Sequence, residues 1–461
     1  MTFSSLTPNA VDYSLLTDLY QLTMAACYMG EGLSDRPASF ELFVRRLPEH
    51  FGYLIAAGLE QALDYLTELQ FTSDHIDALR QTGIFDHAPD LFWDQLANLR
   101  FTGDVWALPE GTVAFANEPL LRVEAPLWQA QIVETFLLNT INYQTLIATR
   151  AARLRDVAGE EALLLEFGTR RAFSPQGALW AARAAIAGGL NATSNVLAAL
   201  HLGQKPSGTM AHSLVMAISA LEGTEDEAFA AFHRYFPGAT LLIDTYDTVA
   251  AATRLATQVA QGTMQVTGIR LDSGDLVELS QAVRSRLPNT RIFASGDLDE
   301  FEIVRLKAAG ATIDGYGLGT KLVTGSPVNG VYKLVDIDGI PTLKSSAQKN
   351  TYPGRKQIFR HVESGQWRGD RLGLFTESAA AHETPLLQQV MKQGDRLQPS
   401  ESLGAIAQRS RQSVLQLPAS LRDIHHPSGI EPTLSQALQT MTQQTQARIR
   451  QSYTAENGNP G

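Results

Sequence analysis

Leu15, Leu19, Leu22 and Ala26 recur at helical intervals in SLLTDLYQLTMAACYMG, a spacing that gathers apolar side chains on one helical face. The following ASFELFVRRLP alternates and is rich in Phe and Val, which predicts a strand, and helical patterns return over 53–69 and 72–81. DVWALPEGTVAFANEPLLRVEAP is broken by Pro and Gly and alternates between the breaks, predicting a small sheet with hairpin turns. Trp128, Ile132, Phe136 and Ile141 then share a face of one long amphipathic helix from about Leu127 to Val157.

Beyond this helix the rhythm changes. Short apolar runs alternate with helical stretches through LLLEFGTRRA, KPSGTMAHS, TLLIDTYDT, VTGIRLDSGD, RIFASGDLD and IDGYGLGTKLVTG. Strand followed by helix at this spacing predicts parallel βα units, at least six, enough for a barrel or a doubly wound sheet. After about residue 330 the regularity fades. VYKLVDIDGIPTLK reads as a hairpin, and the Gln-rich C-terminus ending TAENGNPG is expected to fray.

Within each unit the polar or glycine cluster follows the apolar run directly. Glu166, Arg170 and Arg171 follow LLL; His212 ends its unit; Asp244, Tyr246 and Asp247 follow LLI. Arg270, Asp272 and Asp275 come next, then Gly296 and Asp297, then Gly317, Gly319, Thr320 and Lys321. In a parallel barrel the strand C-termini share one face, and that face holds the active site. The successive turns ASGDLDE and GYGLGTK have free N–H groups near helix N-termini and together suit one phosphate, although either alone reads equally as a plain turn. RLDSGD could be a capping sequence with Asp272 or Ser273 as N-cap, which leaves an arginine and a second acid unexplained. The Arg170–Arg171 pair also reads as a solvated basic pair.

His212 sits among Gly208, Ala211 and Ser213, before a helical stretch. It reads as a satisfied structural histidine or as a nucleophile; with no His-x-x-x-His or His/Cys set around it, a metal-ligand role is not expected. Its small neighbours leave a ring nitrogen accessible to something bulky and anionic, such as a phosphoryl group.

Composition narrows the classes. A chain of 461 residues with 44% hydrophobic and 18% charged positions can bury a large core in two or three domains or one elaborated barrel. Its net charge of −11 argues against a protein that tracks nucleic-acid phosphates, while local Arg, Lys and N–H groups can still hold anionic metabolites. The single cysteine, Cys27, excludes an intramolecular disulfide and a Cys-based metal site, and is expected to be a small buried apolar residue. No run reaches membrane-spanning length and the N-terminus has no leader-like pattern, so a cytoplasmic protein is expected.

Taken in order, TDLYQLTMAACYMGEG, FELFVRRLP, LIAAGLEQALDYL, LLLEFGTRRA, TSNVLA, SGTMAHS, IRLDSGDL, GLGTKLVTGSPVNGVYKLV and QKNTYPGRKQIFR resemble the nicotinate phosphoribosyltransferases, over about residues 14–360. The resemblance implies an α/β fold: an irregular βα (TIM-like) barrel over 146–330, an α/β domain over 1–145, and a segment over 331–461 packing back on that first domain. It implies ATP-coupled synthesis of nicotinate mononucleotide and diphosphate from nicotinate and 5-phosphoribosyl 1-diphosphate, a carbon–nitrogen ligase reaction that begins NAD biosynthesis from nicotinate.

By the same resemblance His212 is the phosphohistidine and Asp272 lies near the ribose hydroxyls, with Asp244 and Asp275 as ribose or metal-water contacts. The 5-phosphate falls to Gly296, Gly319 and Thr320, and Mg²⁺ accompanies the diphosphate. Nicotinate stacks on Phe167 and on Tyr20 of the partner subunit in a homodimer with shared sites, its carboxylate held by Arg170 and Arg270. Ser194 and Asn195 stand where nicotinamide-using relatives carry an acid, which favours nicotinate. Lys321 stands where some relatives have a small polar residue. The competing readings are a nicotinamide- or quinolinate-using relative and a non-catalytic sensor of a phosphorylated metabolite, which would not require His212.

Overall fold

The computed structural model describes residues 6–344 and 351–457. Residues 348–350 of the QKNTYPGRKQIFR motif and the last four of TAENGNPG lie outside the described residues. The chain forms two compact units: Met1–Leu146 with Pro327–Ala405 and Gln412–Gly461, and Ile147–Ser326 with Ile406–Arg411.

The first unit is built on a seven-stranded sheet. The predicted strand in ASFELFVRRLP is Pro37–Val44, which pairs antiparallel with Gly330–Ile337 on one side and with Pro119–Pro126 on the other. Every position after Pro37 is buried, so both faces are covered, and the buried Glu41 carboxylate needs a counter-charge. Lys356 supplies it at 2.8 Å.

The segment around DVWALPEGTVAFANEPLLRVEAP does not make a sheet of its own. Asp104–Ala107 and Pro119–Pro126 join the seven-stranded sheet, and Val113–Ala114 pairs with Leu54–Ile55 in a separate two-stranded one. That short strand also shortens the helix read over 53–69 to Leu59–Glu68. Gly58 makes the corner at φ +96°, where a Cβ would press on the Thr140 carbonyl at 2.9 Å.

Two further expectations are corrected. The helix read from Leu127 to Val157 is two helices, Leu127–Ile132 and Glu134–Ala158, which meet at Val133. Cys27 is exposed: on the helix Leu19–Gly30 the buried stripe is Leu22, Ala25, Ala26 and Met29, and position 27 falls off it. The C-terminal region remains ordered where its rhythm fades. It adds a four-stranded sheet with Lys356–Glu363 and Gln366–Leu374 at its centre, and the last helix is Gln436–Asn457; the end of TAENGNPG, where fraying is expected, lies outside the described residues. Leu438 anchors that Gln-rich helix in the interior. The VYKLVDIDGIPTLK hairpin forms as read, with Asp338 and Gly339 both at positive φ in a two-residue turn.

The second unit carries a six-stranded parallel sheet in the order Ala192–Thr193, Leu163–Glu166, Gly315–Leu318, Arg291–Ala294, Gly268–Leu271, Leu241–Leu242. Helices Pro175–Ala187, Thr248–Ala260, Leu276–Arg286 and Glu300–Ala308 make the crossovers. The α/β class is as expected. The last strand returns beside the first, as in a barrel, and among the described residues the ladder opens between Thr193 and Leu241. One βα unit was misread: KPSGTMAHS contains no strand. Pro206 lacks a donor there, and the sheet position is taken by the two-residue Ala192–Thr193 strand, to which the loop is tied by Ser207 N–H on the Thr193 carbonyl at 2.9 Å.

Candidate active site

Because the six strands run parallel, their C-terminal ends deliver Phe167, Ser194, Asp244, Asp272, Gly296 and Gly319 to the same edge of the sheet. The turns are tied to one another by carboxylates. The Asp244 side chain is 2% exposed, and its Oδ2 accepts from the Asp272 N–H at 2.8 Å and from the Ser273 hydroxyl at 2.7 Å. Asp272 in turn accepts from the Ser295 hydroxyl on the next turn. Asp244 Oδ1 is buried without a hydrogen-bond partner.

That oxygen faces His212. The histidine opens the helix His212–Glu222 with its side chain 37% exposed, so it is not a packed core residue. Its Nδ1 lies 3.0 Å from the Thr245 hydroxyl, and its Nε2 lies 3.8 Å from Asp244 Oδ1 and 4.0 Å from Asp272 Oδ2. An accessible imidazole between two carboxylates and a hydroxyl can take up or pass on a proton or a phosphoryl group.

Arg270, on its own strand, donates to the Thr209 hydroxyl and keeps a buried Nε without a hydrogen-bond partner. Burial pulls its pKa below the usual range; Asp272 and Asp244 oppose that, and Arg170 adds to it. Two guanidiniums that feel each other, one with an unused donor, suit a planar anion. Arg170 itself is exposed, beyond the Leu163–Glu166 strand. Phe167 turns its ring over Gly317, where a Cβ would come within 2.6 Å of the ring carbons. The same turn is braced by buried Glu166, which accepts from the Gly168 N–H and the Thr193 hydroxyl, while its carbonyl accepts from the Ser194 N–H at 2.9 Å. Phe167 and Ser194 thus leave neighbouring strands from one braced point.

A cavity of about 500 Å³ opens beside Asp272. Its lining includes four carboxylates, Asp272, Asp297, Asp299 and Glu302, against two cations, Lys321 and Arg305. Each cation is paired, Lys321 with Asp299 at 2.8 Å and Arg305 with Glu302 at 2.6 Å, and the Asp299 carboxylate holds the Lys321 ammonium above its usual pKa. Gly296 lines the cavity. Gly319 and Thr320 stand half-buried outside its lining, at the start of the short helix Thr320–Val323.

Two site residues stand differently from the rest. The N-cap of Leu276–Arg286 is Asp275, not Asp272 or Ser273: its Oδ1 accepts from the Val277 and Glu278 N–H groups at 2.9 and 3.2 Å. Tyr20 belongs to the first unit, in the opening turn of Leu19–Gly30, and is 47% exposed. Burial raises its phenol pKa, helped by Glu134 and Asp18.

The sequence reading passed over several groups. Thr245, Ser295 and Thr209 help tie the turns of the second unit together, beside Glu166, and for Thr245 and Ser295 the signal was a hydroxyl at the end of an apolar run. In the first unit Arg45 buries Nε and Nη2 without hydrogen-bond partners. Lys333 has its pKa lowered by burial, with Glu134 opposing and Arg45 and Lys344 assisting. Cations crowded in this way are receptive to an anion. Their signal was a basic residue inside or just past a buried strand, as in FVRRLP and GVYKLV.

Residues 15–142 match the nicotinate phosphoribosyltransferase (NAPRTase) N-terminal domain, and residues 162–295 match the nicotinate phosphoribosyltransferase (NAPRTase) family. A nicotinate phosphoribosyltransferase of Mycobacterium tuberculosis is 41% identical over 459 residues, covering 97% of this chain and 96% of that one. The chain belongs to the nicotinate phosphoribosyltransferase family. A Bacillus subtilis member is 44% identical over 384 residues, 79% of this chain and 76% of its own. The crystal structure of human nicotinic acid phosphoribosyltransferase superposes with a TM-score of 0.82 at 30% identity, covering 93% of this chain and 99% of that one. The matched family regions enclose Tyr20 and the site residues from Phe167 to Asp275, while Gly296, Gly319 and Thr320 lie beyond them. No described helix is long and apolar enough to cross a membrane.

Proposed function

We propose that the chain joins nicotinate to 5-phosphoribosyl 1-diphosphate, releasing diphosphate and forming nicotinate mononucleotide for NAD synthesis, with ATP consumed through His212. The observation that carries this reading is the accessible His212 ring set against Asp244 and Asp272, with Asp272 also lining the cavity.

Displacing diphosphate from the anomeric carbon builds positive charge on the ribose ring. Asp272 lies in the cavity wall to stabilise that charge, with one oxygen fixed by Ser295. The pyridine nitrogen attacks as the carbon–oxygen bond to diphosphate breaks and the electron pair leaves with the diphosphate. Carboxylates outnumber cations in the cavity lining, and both cations are already paired, so the site fits a diphosphate that brings its own magnesium; the ion would offset the leaving-group charge. Arg270, through its unused Nε, and Arg170 would hold the nicotinate carboxylate, with Phe167 beneath the ring. Ser194 offers no carboxylate to repel it.

An imidazole nitrogen of His212 attacks the γ-phosphorus of ATP as the bond to ADP breaks, and water later attacks that phosphorus, breaking the phosphorus–nitrogen bond and releasing inorganic phosphate and the free imidazole. Phosphorylation acts on substrate binding as a coupling between two ligand events. Half-exposed Tyr20, with the first unit's crowded cations, supports a homodimer in which Tyr20 of the partner subunit covers the nicotinate.

The test is incubation with γ-labelled ATP. The wild type takes up acid-labile label; His212→Ala takes up none, loses ATP coupling and keeps a slow, weakly saturating transfer, lower by about 5–150-fold at limiting substrate. Full activity with unchanged ATP consumption in that variant refutes the role. An unlabelled wild type favours the sensor reading, and faster turnover of nicotinamide than of nicotinate defeats the Ser194 argument.

A further inference from the structure

We infer that the Thr245 hydroxyl is the positioning group of His212, fixing the imidazole so that Nε2 faces Asp244 and Asp272. The two carboxylates attract the ring but do not set its plane, since at 3.8 and 4.0 Å from Nε2 both lie beyond hydrogen-bond range. Packing does not clamp it either. His212 is the first residue of its helix, Ala211 and Ser213 flank it, and the side chain is more than a third exposed. What distinguishes this orientation from one rotated by half a turn is the contact of Nδ1 with Thr245 Oγ1 at 3.0 Å, because rotation would offer the hydroxyl a ring carbon.

Thr245 is well placed for this role. It directly follows Asp244, whose Oδ2 is pinned by the Asp272 N–H and the Ser273 hydroxyl, so hydroxyl and carboxylate present a fixed pair of contacts. Asp244 and Asp272 favour hydrogen on Nε2. Facing Nδ1, a hydroxyl can donate to the neutral ring and accept from the protonated one, so one residue holds the ring in both states. Valine has the same shape and can do neither. The consequence for phosphoryl transfer rests on the role proposed for His212; the orientation of the ring does not.

The experiment uses the full chain with ¹⁵N-labelled histidine, His212→Gln to assign the resonance, and the pair Thr245→Val and Thr245→Ser. In the wild type the ring nitrogens of His212 report one neutral tautomer with hydrogen on Nε2. Thr245→Val shifts them towards an averaged pattern, and Thr245→Ser restores the single one. A wild-type nitrogen pattern in Thr245→Val overturns the inference. If the wild type takes up no label from γ-labelled ATP, the phosphohistidine reading fails, and the nitrogen pattern still decides the positioning.

Discussion

Gly296 leaves the strand Arg291–Ala294 at φ +99°, and a Cβ there would run into the Asp272 carbonyl oxygen. Alanine is strained in that conformation and pushes apart two turns that the Ser295 hydroxyl holds together. Gly296→Ala is therefore expected to raise KM for phosphoribosyl diphosphate by roughly 10²-fold, and KM for nicotinate much less. Steady-state kinetics with each substrate varied decides it; an unchanged KM for the sugar phosphate removes Gly296 from the phosphate cradle. At this scale the sequence was informative about which positions carry chemistry, because polar residues directly after parallel strands must gather at one edge. It was silent about their partners. Nothing in TLLIDTYDT distinguishes the hydroxyl that meets His212 from one that meets solvent, since that depends on where a separate helix begins.

Asp275 shows where residue type and spacing run out and the element decides. An acid directly before a helix can be a ligand or a cap, and here it is the cap of Leu276–Arg286. Asp275→Ala should cost about 1 kcal/mol of stability in urea unfolding and leave both KM values within about twofold. A large rise in KM for phosphoribosyl diphosphate would return Asp275 to the metal-water role. The parallel sheet was legible because apolar runs and helices alternate at regular spacing. Ala192–Thr193 was not, since two residues carry no periodicity, and KPSGTMAHS took its place in the reading. The break at Val133 was hidden because both helices are apolar on the same side.

For the whole chain, the revealing cluster is Glu118 with Arg360 and Asp370, which joins an early loop to two late strands inside the first unit. Arg360 grips Asp370 through two hydrogen bonds, at 3.0 and 2.6 Å. Glu118 is fully buried and accepts from the Phe115 N–H at 2.8 Å. Burial, then the nearby Asp370, pushes its pKa well above the ordinary carboxylate value. The folded chain thus binds a proton that the unfolded chain releases at lower pH. That stabilisation is complete below the unfolded pKa and is lost as pH rises through the folded one, by about 1.4 kcal/mol per unit of displacement. Glu118→Gln keeps an acceptor for Phe115 and offers Asp370 a permanent donor. Relative to wild type it should gain stability as pH rises from 4 to 8, seen as a growing difference in urea midpoints; parallel curves would mean Glu118 is ionised in the fold. Such pairings were invisible in the sequence because no local pattern tells Pro37–Val44 that its neighbour is Gly330–Ile337.

That pairing has a consequence for synthesis. The ribosome delivers nearly all of the second unit before the strand that completes one side of Pro37–Val44 exists. Throughout that interval a strand buried along almost its whole length in the finished protein presents an open edge, an invitation to pair with another nascent chain. Protection of that edge by a chaperone, or by speed of elongation, is a demand this topology places on the cell.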